Sequence, residues 1–268
     1  MASKKLVPMW FVVIAMVFPA PAMAGGSIKD APFESPPAKL FSGAYLGHHI
    51  GGGWTETSVR DNGTPGSLLE PPYGAFSCGP ALTGNYCSEP FDFNTGGILG
   101  GAQIGFNWRT ANWVFGVEGD VGFADIDKEE VRVRPLQDRD VASINMDWYS
   151  ALTGRIGFVA QNDILIYAKG GAAFADIKYS AADLDFNDAT NAHEIYLGSV
   201  VSKSGTQTGW ALGGGLEYAM NERVSLKAEY LYMDFGSETA TSTDGDLYKF
   251  DTEMHTARLG INFAFLRY

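Results

Sequence analysis

Residues 205–236 read GTQTGWALGGGLEYAMNERVSLKAEYLYMDFG. Two alternating runs flank Met220-Asn221-Glu222. Before that link, Trp210, Leu212, Leu216 and Tyr218 share one face, and Ala211, Gly213, Gly215 and Glu217 share the other. After it, Val224, Leu226, Ala228, Tyr230 and Tyr232 oppose Lys227 and Glu229. A period of two belongs to strands, and a three-residue link between two such runs predicts a β-hairpin.

The same theme recurs along the chain. Glycine- and aromatic-rich alternating segments fall at 42–56, 96–109, 112–125, 144–159, 163–178, 205–219, 223–236 and 253–266, eight in all. In the fourth, Trp148, Leu152, Gly154, Ile156 and Phe158 face one way, and Asp147, Tyr149, Thr153 and Arg155 the other. In the eighth, Ala257, Leu259, Ile261, Phe263 and Phe265 oppose Arg258 and Asn262. Tight links near Thr110-Ala111, Ala160-Gln161-Asn162 and Met220-Asn221-Glu222 interleave with long ones at 57–95, 126–143, 179–204 and 237–252. None of the 12 prolines lies inside a segment, as paired strands require. Strict interleaving of short and long connections predicts an all-β fold: an eight-stranded antiparallel transmembrane barrel with short periplasmic turns and four long outer loops.

Composition agrees. Apolar residues make up 46% of the 268, too many for a disordered chain. The net charge of −12 argues against nucleic acid as a partner. Residues 1–24 read as a signal peptide, with Lys4 and Lys5 before an apolar run and Ala22-Met23-Ala24 as the cleavage site. The predicted domains are therefore 1–24 signal, 25–41 periplasmic linker and 42–268 barrel. Removing the signal leaves 17 basic and 31 acidic residues, a net −14. The long connections carry nearly all of it, so the outer end is predicted to be acidic.

The apolar face is expected to meet lipid, with Trp54, Trp108, Trp113, Trp148, Trp210, Tyr218, Tyr230 and Tyr232 in interfacial girdles. The other face carries small residues and balanced charge: Glu118, Asp120, Glu217 and Glu229 against Arg155, Lys169, Lys227 and Arg258. Buried charges persist when paired, and an eight-stranded barrel is narrow enough for side chains to fill. These residues are predicted to form an interior network that plugs the lumen. Solvated charges lining a narrow pore are the alternative.

The segments resemble a known family. Phe41-Ser42-Gly43-Ala44-Tyr45-Leu46-Gly47 resembles the Trp-x-Gly-x-Tyr-x-Gly opening of small alphaproteobacterial outer-membrane surface antigens, with Phe41 in the Trp position. Gly100 to Trp108, Phe115 to Asp120, Leu165 to Ala173, Gly209 to Tyr218 and Leu226 to Tyr232 resemble their later strands. The family includes Brucella-type antigens and Bartonella-type hemin-binding proteins, and its barrel is similar to the OmpA transmembrane domain. The resemblance implies residence in the outer membrane of a Gram-negative bacterium. It also implies contact with outer-membrane lipid and lipopolysaccharide, and loops open to host or environmental ligands. The final strand, with Leu259, Ile261, Phe263 and Phe265, resembles the signal read by barrel-assembly machinery, although Leu266-Arg267-Tyr268 runs past it. His48 falls on the lipid-facing parity, which is unexpected for imidazole.

Few residues suggest chemistry. Cys78 and Cys87, in the first long connection, are expected to form a local disulfide in an oxidising compartment, not a metal or redox pair. No cofactor is required. Hemin is implied only through the resemblance, and His193, beside Tyr196, is the candidate ligand against the plainer reading of an incidental loop histidine. Asp183/Asp185/Asp188 and Asp244/Asp246/Asp251 lack an EF-hand pattern and read as solvated acids, with cation bridging to lipopolysaccharide as a secondary reading. An enzyme is not expected. His255 is followed by Thr256 and Ala257, where a lipid deacylase needs a serine, and no Gly-x-Ser-x-Gly elbow or phosphate loop is present.

Overall fold

The computed structural model describes residues 40–61, 91–133, 139–160, 163–187, 192–195, 200–243 and 247–265. Among these residues, nine strands form one antiparallel sheet: β1 Gly43–Asp61, β2 Phe91–Thr110, β3 Trp113–Val133, β4 Arg139–Ala160, β5 Ile164–Asn187, β6 Ala192–Ile195, β7 Val201–Ala219, β8 Val224–Thr241 and β9 Leu247–Ala264. Eight of them close a barrel, because β1 pairs with β9 and β4 with β5. Among the described residues, the remaining strand, β6, pairs only with residues 184–187 of β5.

At the short-turn end the strands finish where the sequence predicts. Asn221 shapes one turn by accepting hydrogen bonds from the Arg223 and Val224 amides at 2.8 and 3.0 Å, the usual reason for asparagine in a turn. At Thr110–Trp113 the chain reverses through Ala111, whose φ is 54°. At the other end the strands run well past their predicted limits. Wall strand fills much of 126–143 and 237–252, so those two connections are shorter than expected. Charged and polar residues there still alternate with apolar ones, which keeps one face buried and sustains pairing.

The outward face of the lower barrel is apolar. Ile50, Ile98, Ile104, Leu152, Leu212 and Leu259 are all more than half exposed, a continuous apolar surface that only a non-aqueous neighbour satisfies. Aromatics bound it on both sides. Trp108, Trp113, Phe158, Tyr218 and Phe263 lie near the short turns. Trp54, Trp148, Trp210, Tyr230 and Tyr232 lie about ten residues further along the strands, the span of a tilted transmembrane strand. His48 faces outward, exposed between Leu46 and Ile50.

Beyond the second girdle the barrel divides. Pairing of β2 with β3 stops at Leu99–Ala124, and pairing of β7 with β8 stops at Trp210–Asp234, although all four strands continue. Two leaflets result, β8–β9–β1–β2 and β3–β4–β5–β7, each paired to its end. Three register shifts lie at this transition: Phe123/Ile126, Met146/Trp148 and Asp234/Ser237. Bulges bend and twist strands, so they accommodate the change from cylinder to sandwich. Gly236 supports the third with a φ of 65°, its amide held by Asp234 Oδ1 at 2.7 Å. The Met146/Trp148 shift also corrects the fourth segment. Asp147, expected inside, is the residue left out of register, and it pairs outside with Lys178 at 2.6 Å.

Candidate functional site

The lumen is the candidate site, and it has two layers. Inward parity delivers one charged residue after another to the lower layer: Glu118 and Asp120 from β3, Arg155 from β4, Lys169 from β5, Glu217 from β7, Lys227 and Glu229 from β8, and Arg258 from β9. All eight are buried, and they connect into one system. Glu118 Oε1 meets Lys169 Nζ at 2.7 Å and Lys227 Nζ at 3.4 Å. Glu229 Oε1 meets Lys169 Nζ at 2.9 Å and accepts from Arg258 Nε at 2.7 Å. Arg258 Nη1 reaches Asp120 Oδ2 at 2.9 Å, and Arg155 Nη2 reaches Glu217 Oε2 at 3.0 Å. Four acids and four bases leave no net charge in this layer.

Neutral side chains complete it. Tyr45 donates to Glu118 Oε2 and Tyr167 to Glu229 Oε2, each at 2.7 Å. The Arg155 guanidinium lies 5.2 Å from the Tyr45 ring centroid and 4.8 Å from that of Tyr167, within cation–π range on both sides. Gln103 accepts from His49 Nδ1 at 2.7 Å and donates to Asn262 Oδ1 at 2.8 Å, and Asn262 donates to Glu217 Oε1 at 3.0 Å. The tyrosines fit because glycines stand opposite. A Cβ at Gly105 would strike the Tyr45 ring, and one at Gly122 the Tyr149 ring. Glycine on the inner face is thus space ceded to a neighbour's ring. At the short-turn mouth lies a cavity of about 30 Å³, lined by residues including Ser42, Asn107 and Asn262, space on the scale of a water or two.

The upper layer differs from the expected inner face of small residues and paired charges. Between the leaflets lies an apolar core. Leu99, Leu231, Met233, Phe250 and Met254 from one leaflet meet Ile126, Ile144, Met146, Ile177 and Tyr179 from the other. Tyr179 stacks on Phe250 with centroids 4.7 Å apart and donates to Thr252 Oγ1 at 3.0 Å, tying the leaflets together. Among the described residues, a charged layer below and an apolar layer above occupy the lumen.

The other predicted residues are placed as follows. In β9, Leu259 and Phe263 face outward and exposed, and Ile261 is half-buried; Phe265, one residue past the strand end, is exposed as well. Phe265 donates its amide to Ala44 O at 3.0 Å, closing the seam with β1. His193 lies in β6, its backbone opposite Phe186. Cys78 and Cys87 lie outside the described residues, as do the predicted signal peptide, nearly all of the predicted linker, Asp188, Asp244 and Asp246. Asp251 ion-pairs with Lys249 at 3.4 Å. Among the described residues no group of acids, histidines or cysteines is placed to hold a metal.

Comparison with known proteins gives one consistent result. The family model described as outer membrane protein beta-barrel domain matches residues 11–265. The 31 kDa outer-membrane immunogenic protein of Brucella melitensis is 28% identical over 94% of this chain and 97% of its own. The 22 kDa outer membrane protein of Rhizobium leguminosarum is 26% identical over 71% of this chain and 77% of its own. Among solved structures, the outer membrane protein OprG of Pseudomonas aeruginosa matches with 15% identity and a TM-score of 0.46, over 84% of this chain and 98% of that one.

Proposed function

The chain belongs to the outer membrane protein beta-barrel domain family, and from that premise we propose that it is an architectural barrel with a sealed lumen whose acidic outer extension makes the contacts. One observation carries this reading: the lumen holds a closed, neutral charge network beneath an apolar core. Diffusion of a solute through the barrel would require breaking buried ion pairs that are costly to leave unpaired. The work of the protein is then to stiffen the membrane and present its outer end. Its belt of Ile, Leu, Val and aromatic residues suits outer-membrane lipid and the acyl chains of lipopolysaccharide.

Deleting the gene tests the architectural role. The deletion strain should leak periplasmic enzyme and become sensitive to detergent. Complementation should succeed with the natural chain and fail with Glu229→Ala. A strain that loses uptake of small solutes while keeping its envelope intact would instead support a pore.

A further inference from the structure

Among the described residues, the two strands that part at Trp210–Asp234 have no partner strand across the gap beyond that point. Residues 201–209 of β7 pair only with β5 among the described residues, and 237–241 of β8 only with β9, with Phe235 and Gly236 in the register shift. Each stretch is an edge strand facing the other across a seam. Edge strands are templates for another chain.

The seam has a fixed foot and a removable latch. At its foot Gly209 lies against the backbone carbonyl of Asp234, so close that a Cβ would collide. Further out, the Lys203–Glu238 ion pair crosses it at 2.9 Å. Both side chains are partly exposed, and such a pair is weak. The β7 edge carries Ser202, Ser204, Gly205, Thr206 and Thr208, small residues that leave its main chain accessible.

The charge around the foot is acidic. Glu56, Glu253 and Asp234 stand directly opposite one another across β1, β9 and β8. Asp176 stands on the far side, opposite Thr206. The nearby lysines are already engaged: Lys178 with Asp147, Lys203 with Glu238 and Lys249 with Asp251. Directly opposed like charges disfavour the sheet, and a cationic neighbour would relieve them.

We infer that the β7–β8 seam is a strand-addition site for an extended cationic peptide, which pairs along the β7 edge and displaces the Lys203–Glu238 latch. Main-chain hydrogen bonds supply the affinity, and the acids at the foot select the charge. The inference deepens the surface-contact part of the proposed function, and its failure would leave the sealed lumen standing, because conductance tests that separately.

The test uses the mature chain refolded in lipid vesicles and two labelled peptides of equal charge. One alternates lysine with valine and threonine. The other has prolines in place of alternate residues, so it cannot form a ladder. The alternating peptide should slow amide exchange in 201–209 and 235–241, and it should bind about tenfold more tightly than the proline peptide. Lys203→Glu should tighten its binding several-fold by removing the latch and adding an acid. Equal binding of both peptides would show simple charge adhesion and overturn the proposal. So would protection confined to other strands, no binding at all, or an affinity that Lys203→Glu leaves unchanged.

Discussion

Replacing Glu229 by alanine should destabilise the barrel more than any surface substitution. Glu229 Oε1 faces Lys169 and accepts from Arg258 Nε at 2.7 Å, and Oε2 accepts from Tyr167 at 2.7 Å. Its loss leaves four buried cations facing three acids. Removing one partner of a buried pair costs about 3–5 kcal/mol. With a denaturant slope of about 2–3 kcal/mol per molar urea, the unfolding midpoint should fall by about 1–2.5 M. Tryptophan fluorescence and the heat-dependent gel shift of vesicle-refolded protein would both report it. Glu129→Ala, on the exposed outer wall, is the control and should not move the midpoint. The double variant Glu229→Ala/Lys169→Ala restores neutrality, so it should be less destabilised than the two single losses combined, by about 1 kcal/mol or more. A midpoint for Glu229→Ala matching that of Glu129→Ala would refute the buried network as a source of stability.

Other outcomes follow from the same geometry. Arg155→Ala should cost about 3–5 kcal/mol, because it strands Glu217 and empties the space between two tyrosine rings, and urea titration measures it. Gly105→Ala should fold poorly or lose about 1–3 kcal/mol, since the added methyl meets the Tyr45 ring; yield of the heat-modifiable form reports this. Phe250→Ala should remove about 3–5 kcal/mol from the outer core, exposing the extension to protease while the membrane-embedded half stays protected. Asp147→Ala breaks only an exposed pair with Lys178 and should leave the midpoint unchanged.

Much of this architecture is legible in the sequence, because lipid imposes strict alternation. The parity of Trp210, Leu212, Leu216 and Tyr218 against Glu217 fixes both faces of β7. The same parity puts Lys227 and Glu229 inside β8 and Arg258 inside β9. The short-turn ends are marked by residues with a local reason to turn, such as Asn221. What alternation does not show is where a strand changes partner. Asp147 reads as an inner residue until the register shift at Met146/Trp148 turns it out. Past that shift Ala142, Ile144 and Met146 face inward, so the share of the apolar core that β4 supplies lies on the parity that alternation in its lower half assigns to lipid. The seams are equally hidden, since Gly97 and Gly209 look like other strand glycines until the carbonyls of Asp125 and Asp234 are seen against them. Tyr45 and Tyr167 hold inward parity, but their hydrogen bonds to Glu118 and Glu229 depend on strands distant in sequence.

The sealed lumen is tested most directly by single-channel recording of refolded residues 25–268 in a planar bilayer. Folding would be verified first by the heat-dependent gel shift. The filled interior predicts a silent membrane, with Glu229→Ala producing at most irregular noise. Steady, uniform openings from the natural chain would contradict it and make the interior charges the lining of a water-filled pore.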